Sequence, residues 1–429
     1  MPVSRRQFVH RAAAGALAAA TVGRCSWRDP VPTAPDPPQR PVPGPIRSLA
    51  PFPGKPTPIA AQEREGRIEK ARRLMAGSGI DALFLDAGSS LFYFTGIRWH
   101  PSERMLAAIL TRDGEIGWVC PAFEEQRLRE SPGVGEDVRT WQEHESPYRR
   151  VAELLADRGI ASGRIGVEER VRFFLYDGVR QETPGAEFVS ADGITAGCRV
   201  IKSPAELALM QWANDITIAA YRAVLQSLEE GMTREEFNAN CATAFRKLGV
   251  EGGAFGQFAE GSALPHGSTK PRALREGDVV LMDGGCSVEG YRSDISRTTV
   301  FGRPSRRQRE VWELERRAQD AALAAARPGV PCEAVDRAAR DVIVRGGFGP
   351  DYQYFTHRVG HGIGLDGHEW TYLVRGNKTP LAPGMCFSDE PGIYIQGEFG
   401  VRLEDCMHVT ESGARLFTRQ SPSIDQPFA

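Results

Sequence analysis

One order of elements occurs twice in the second half of this chain: two amphipathic helices joined by a short turn, then a run of strands. In the first copy, Ser203-Pro204-Ala205-Glu206 combines a capping box with proline at the first helical position and starts a long helix to about Leu228. Leu207, Met210, Tyr221, Val224, Leu225 and Leu228 form its expected buried face. Thr233 and Glu236 make a second capping box and open a helix to about Leu248. In the second copy, Ser305 and Gln308 cap a helix to Arg327, and another helix follows from about Pro331 to Arg345. The turns correspond, Glu230-Gly231-Met232-Thr233 against Pro328-Gly329-Val330-Pro331. The repetition predicts two related halves over residues 201–422, each a helix pair laid over a curved antiparallel sheet. A face where two such halves meet is a natural place for a site.

Residues 59–200 read differently. Ala61 to Ala76 is charged and helix-prone, and Pro147 to Arg158 reads as a helix. Ala82-Leu83-Phe84-Leu85, Leu91-Phe92-Tyr93-Phe94, Met105 to Leu110 and Ile165-Gly166-Val167 read as strands. Such alternation predicts a small α/β domain. Upstream, residues 30–58 carry so many prolines that they are expected to stay extended and solvated as a linker.

Residues 1–29 have the layout of an export leader. Arg5-Arg6 precedes a mostly apolar, Ala-rich run from Ala12 to Val22, too short for a permanent membrane span. The arginine pair predicts passage through the twin-arginine export machinery to a periplasmic or extracytoplasmic destination; a plain basic helix is the alternative. Cys25 could be a lipid-attachment cysteine, but Arg24 before it does not suit that signal. The 8 cysteines are scattered without a C-x-x-C pair, which predicts buried thiols rather than a disulfide framework. A formal net charge of −2 over 429 residues gives no footing for a nucleic acid or an anionic membrane surface as partner.

The chemistry-bearing residues lie in the second half. An apolar run, Val279 to Met282, leads into Asp283, a glycine-containing turn follows, and Asp294 falls early in the return strand Ser293 to Val300. A hairpin of this kind brings two carboxylates together, where they repel unless a proton or a cation lies between them; alone, both could simply serve the turn. His357, His361 and His368 fall in one stretch with Gly360, Gly362 and Gly364, where the backbone can approach other groups closely. Glu390 is expected to end a strand at Glu390-Pro391-Gly392, and Glu404 to lie in a strand running to Val409, on the same face as Arg402. Either glutamate alone could be an edge-strand charge. Together, four carboxylates and one imidazole suit two divalent ions about 3.5–4 Å apart. An oxygen-rich set without thiolate favours manganese, with zinc, cobalt and iron(II) open.

The order Asp283, Asp294, His361, Glu390, Glu404 resembles the metal-dependent aminopeptidases of the pita-bread fold. His357 to Glu369, Glu390-Pro391-Gly392 and Arg402-Leu403-Glu404-Asp405 resemble their aminopeptidase P and prolidase branch. The resemblance extends from about Ile59 to Thr418 and implies a creatinase-like α/β domain followed by an α+β pita-bread catalytic domain. Methionine aminopeptidases share the catalytic fold but lack the upstream domain. It further implies two divalent metals per chain, Asp283 on one, His361 and Glu390 on the other, with Asp294 and Glu404 bridging. Glu390 would also accept the proton of the attacking water. His266 and His368 would lie on the substrate side, with His368 steadying the tetrahedral intermediate; Arg402 would orient Glu404 or the substrate, and His357 would line a proline pocket. The implied activity is hydrolysis of the Xaa-Pro bond in proline-containing peptides or dipeptides, by a homodimer or tetramer. Two alternatives are a related hydrolase or lyase acting on a small non-peptide molecule and a non-catalytic peptide-binding protein.

Overall fold

In a computed structural model, which describes residues 41–428, each capping box read from the sequence starts a helix. The Ser203, Thr233 and Ser305 hydroxyls each accept a hydrogen bond from the backbone N–H three residues on, and Glu206, Glu236 and Gln308 return the bond. They start the helices Pro204–Leu225, Arg234–Lys247 and Arg306–Ala325. Met210, Tyr221 and Val224 are buried as expected, while Leu207, Leu225 and Leu228 sit half-buried at the margin of the core.

The first folded layer is a mixed sheet of six strands: β1 (Ala82–Asp86), β2 (Ala107–Thr111), β3 (Gly117–Pro121), β4 (Val138–Trp141), β5 (Arg164–Val167) and β6 (Glu187–Ser190). Their order is β4-β3-β2-β1-β5-β6, with β1 antiparallel to β2 and parallel to β5. All of β1 is buried because each face is covered. Leu83 and Leu85 share a core with Ala71 and Met75 of the Ala61–Ser78 helix, and Phe84 packs with Leu154 and Leu175 of the helices Pro147–Asp157 and Phe173–Glu182.

Two expectations change here. Leu91 to Phe94 belongs to a helix, Ser89–Thr95, not a strand. Gly96 ends it at φ 77°, its N–H donating to the Phe92 carbonyl. A four-residue apolar run does not carry a period that separates the two outcomes. Residues 42–58, expected as a solvated linker, are packed on the folded body. Gly44–Arg47 forms a helical turn, Ile46 is 0% exposed, the Phe52 N–H donates to the Leu248 carbonyl, and the Trp212 indole donates to the Pro53 carbonyl. Proline excludes ladder pairing, but it does not exclude burial of neighbouring side chains. The paired arginines, the apolar run after them and Cys25 lie outside the described residues.

The two halves follow. In the first, the helices Pro204–Leu225 and Arg234–Lys247 cover β7 (Glu251–Phe258), β8 (Val279–Val288), β9 (Tyr291–Arg292) and β10 (Ile295–Val300), in the order β10-β8-β7 with β9 paired to β8. In the second, the helices Arg306–Ala325 and Cys332–Arg345 cover β11 (Gly360–Gly362), β12 (Glu369–Leu373), β13 (Cys386–Asp389), β16 (Asp405–Val409) and β17 (Ala414–Leu416), in the order β12-β11-β13-β16-β17. A separate ribbon, β14 (Gly392–Ile395) with β15 (Phe399–Arg402), connects β13 to β16. The cysteines 120, 198, 241, 286, 332, 386 and 406 are free and buried. Among the described residues no helix is long and apolar enough to cross a membrane.

Candidate metal centre

Asp283 lies within β8 rather than at the end of a strand, since the glycines after it stay paired up to Val288 instead of turning the chain; it stands opposite Ser296 on β10 and Phe255 on β7. Asp294 stands just before β10 rather than inside it. Its N–H donates to Cys406 Sγ at 3.4 Å and the Cys406 thiol donates back to its carbonyl at 3.1 Å, so the hairpin is tied to β16 of the other half. His361 is the middle residue of β11, and Glu390 follows β13 directly. Glu404 is not in a continuous strand as expected: it occupies the two-residue gap between β15 and β16. There its N–H donates to the Ser296 carbonyl at 3.1 Å, and Arg297 Nη1 donates to its own carbonyl at 2.8 Å. The chain thus leaves one ladder to turn the carboxylate towards the first half.

The five side chains meet in overlapping groups. Asp283, Asp294 and Glu404 each offer a ligand atom within 4.8 Å of the others, and so do His361, Glu390 and Glu404. A third group of the same dimension joins Asp294, His361 and His368, which brings His368 closer to the ligand set than the sequence suggested. Glu404, Asp294 and His361 each belong to two of the three groups, and Glu404 joins the two groups made wholly of the five residues, a position from which a carboxylate can serve two ions. His361 Nε2 stands 3.2 Å from Glu390 Oε1 and 3.9 Å from Asp294 Oδ2.

Around them sits a ring of neutral and cationic donors. Arg402 Nη2 donates to Asp283 Oδ2 at 2.6 Å, Arg402 Nη1 to the Tyr394 hydroxyl at 2.9 Å, and Arg402 Nε to Ser296 Oγ at 2.9 Å. The Ser296 hydroxyl can donate to Asp283 Oδ1 at 3.0 Å or Glu404 Oε2 at 2.8 Å. Arg402 therefore orients Glu404 only through Ser296, and Asp283 directly. Ser388 Oγ donates to Glu390 Oε1 at 3.0 Å and accepts from the His361 N–H at 3.0 Å. Ser296, Ser388 and Tyr394 were not read from the sequence. Single hydroxyls carry no pattern there; the only available signal was the position of Ser296 across the hairpin from Asp283.

His357 Nε2 meets the Tyr394 hydroxyl at 2.8 Å, and its ring stands edge-on to Phe355. His368 is exposed, its ring centroid 3.9 Å from that of His361. His266 is also exposed, on the loop after β7; the Pro265 carbonyl beside it accepts from Arg402 Nη1 at 3.0 Å and Gln257 Nε2 at 3.2 Å.

The electrostatics favour a cation. Burial, and then the negative charge of Asp283, push the Asp294 carboxyl up to about 7. Burial and the neighbouring carboxylates push Glu404 well above its ordinary range. Burial also disfavours charge on Glu390, but the hydrogen bond and positive charge of His361 outweigh it and hold the Glu390 carboxyl down at about 2. The same contact raises His361 against its burial. Burial, then the His361 charge, lower His368 to about 4, with smaller contributions from Arg358 and His266. Without a cation the cluster favours protons on Asp294 and Glu404 over a full set of carboxylate charges. A divalent ion satisfies the same oxygens and relieves the repulsion. The donor set of carboxylates and one buried imidazole fits such ions.

A family model described as "Metallopeptidase family M24" matches residues 208–411, and one described as "Creatinase/Prolidase N-terminal domain" matches residues 67–201. The chain is 33% identical to the Xaa-Pro dipeptidase of Lactobacillus helveticus, over 83% of this chain and 98% of that protein. Among solved structures it is similar to the dipeptidase PepE from Mycobacterium ulcerans, with TM-score 0.80 and 32% identity, covering 87% of this chain and 100% of that one. It is also similar to a prolidase from Thermococcus sibiricus, with TM-score 0.78 and 28% identity, covering 84% of this chain and 98% of that one.

Proposed function

Since this chain belongs to the metallopeptidase family M24, with a creatinase-type N-terminal domain before a pita-bread catalytic domain, we propose that it hydrolyses the bond between an N-terminal residue and a following proline, with Xaa-Pro dipeptides as preferred substrates. The observation that carries the reading is the convergence of Asp283, Asp294, His361, Glu390 and Glu404 into two donor groups that share Glu404. The names of the similar proteins, Xaa-Pro dipeptidase and prolidase, support the substrate class.

In this reading Asp283, Asp294, His361, Glu390 and Glu404 would hold two divalent ions, Asp283 on one side, His361 and Glu390 on the other, with Asp294 and Glu404 between; manganese is the favoured metal, ahead of zinc, cobalt and iron(II). Two ions held there supply Lewis-acid polarisation of the scissile carbonyl and acidify a water. Glu390, ionised down to about 2, accepts the proton of the attacking water and passes it to the departing proline nitrogen. His368, lowered to about 4, is a neutral imidazole at pH 7, so it donates a hydrogen bond to the oxygen that gains charge without adding a cation beside the metals. Arg402 keeps Asp283 in place through the 2.6 Å contact and, through Ser296, Glu404. His266 bounds the substrate side. His357, held from behind by the buried Tyr394 hydroxyl and the buried Phe355 ring, lines the side where a proline ring would pack; that ring leaves the substrate with no amide N–H at the scissile bond to satisfy.

The paired Arg5-Arg6 and the apolar run support export by the twin-arginine machinery to a periplasmic or extracytoplasmic location, a route by which a folded, metal-loaded protein can pass. A homodimer or tetramer is the assembly that the resemblance favours.

A panel of Xaa-Pro dipeptides and longer Xaa-Pro peptides, given to protein loaded with manganese, zinc or cobalt, tests the reading. Cleavage of dipeptides in preference to longer chains is the expected result. Cleavage of the longer peptides alone would make it an aminopeptidase, and no cleavage of either with any of these metals would overturn the function.

A further inference from the structure

His368 is exposed; its ring lies against that of His361, and among the described residues its one side-chain hydrogen-bond partner is Arg358, whose Nη2 lies 3.4 Å from Nδ1. So long and solvent-facing a contact cannot fix the ring at 3.9 Å from His361. The position of the ring therefore depends on the backbone that carries it as well as on the stack with His361.

That backbone is held by the N-terminal domain. Arg170 Nη2 donates to the His368 carbonyl at 2.9 Å, and Arg170 Nη1 pairs with Asp366 Oδ1 at 3.0 Å. Arg199 Nη2 pairs with Asp366 Oδ2 at 2.6 Å and also with Glu369 Oε1. Within the catalytic domain, Lys202 Nζ pairs with Glu369 Oε2 at 2.9 Å, and Glu369 Oε1 accepts the Asp366 N–H at 3.2 Å. The two carboxylates flanking His368 are therefore each gripped from outside the catalytic domain's own sheet, and they are also tied to each other. Glu369 is buried at 6% exposure, so its charge persists there only because two cations meet it.

We propose that Arg170 and Arg199 are positioning residues for His368: the N-terminal domain holds the Asp366–Glu369 segment so that the histidine stands over the metal centre before substrate arrives. This rests on the Xaa-Pro hydrolase reading for its kinetic consequence, though not for its structural one. It also gives the N-terminal domain a part in the chemistry without placing any of its side chains on the reacting atoms.

Arg199 is a poor first variant, because breaking a buried ion pair destabilises the fold strongly. Arg170 is suitable, since its side chain is 48% exposed and its ion pair contributes little to stability. For metal-loaded Arg170→Ala, kcat on an Xaa-Pro dipeptide is expected to fall about tenfold, the order of loss that a small misplacement of a catalytic group produces. KM and metal content should stay within about twofold of wild type, and Arg170→Lys should recover part of the rate. Amide hydrogen exchange over residues 366–369 should quicken in Arg170→Ala and not around His361. Unchanged exchange there, or an unchanged kcat with the segment loosened, would overturn the proposal. If the wild-type protein cleaves no Xaa-Pro bond, the functional reading fails by itself, and the exchange measurement alone decides whether Arg170 holds the segment.

Discussion

Asp294 and His368 lie in the same group of ligand atoms, yet they are expected to answer substitution in opposite ways. Asp294 belongs to two donor groups and is the proposed bridging carboxylate, so Asp294→Ala would remove a ligand from the centre. Metal analysis should show lost or sharply reduced loading, with activity lost in step. His368 is exposed and outside the five-residue set, so His368→Ala should retain metal while turnover falls by about two orders of magnitude, the typical worth of an oxyanion donor. An active Asp294→Ala, or a His368→Ala near the wild-type rate, would each displace the role given to that side chain. The raised Asp294 carboxyl makes a second statement at this scale. In the metal-free fold its pKa stands at about 7, above the ordinary carboxyl value of about 3.9. A raised folded-state value means that the proton stabilises the fold. That contribution is complete below the ordinary value and is lost as pH rises through about 7. A cation replaces the proton, so loading should release protons, and the Tm gap between metal-loaded and chelator-treated protein should be wider at pH 8 than at pH 5. A gap of equal size at both pH values would contradict the assignment of Asp294 as a ligand.

Elements were legible to the extent that a local signal decided them. The three capping boxes named their helices because both partners of each reciprocal bond are present in the sequence, and the Ala82 run is a strand because a continuous apolar segment suits a sheet covered on both faces. The Leu91–Phe94 segment failed for want of a period, and the break at Glu404 failed because its cause is distant: the Ser296 carbonyl and Arg297 take up the Glu404 backbone groups. The ligand residues stood out through their types and neighbours, whereas Ser296, Ser388 and Tyr394 act through contacts that exist only after folding. Glycine provides a test of the same point. Gly360, adjacent to His361, packs where an added Cβ would meet the Ser388 carbonyl oxygen at 2.1 Å, and that oxygen is backbone and cannot swing aside. Gly360→Ala should therefore push β11 from β13, lowering stability by about 1–3 kcal/mol as overpacking does and weakening metal binding through His361. Denaturant unfolding and metal titration of the same preparation would measure both, and wild-type values for both would show that the strands tolerate separation.

At the scale of the whole molecule, the part of the proline-rich segment described in the structure behaves as a strap rather than a spacer. Ile46 is fully buried in the same core as Tyr221 and Phe245 of the first catalytic half, and the Phe52–Leu248 and Pro53–Trp212 hydrogen bonds anchor the segment across that half. Ile59 continues it into a core shared with Ala71 and Met75 of the N-terminal domain. Residues 42–58 thus cover apolar surface of the catalytic half before the chain enters the N-terminal domain. If this covering holds the fold together, a chain beginning at Val42 and a chain beginning at Ile59 should differ in stability although both retain every metal ligand. Emptying the Ile46 site alone removes a buried aliphatic side chain, which costs about 2–5 kcal/mol, so Ile46→Ala should approach the effect of the longer truncation. Thermal unfolding of the two truncated chains and of Ile46→Ala at equal metal loading checks this. Equal Tm values for the two truncated chains would mean that the segment rests on the surface without supporting it, whereas a loss confined to the chain beginning at Ile59 would place the work in the hydrogen bonds of Phe52 and Pro53.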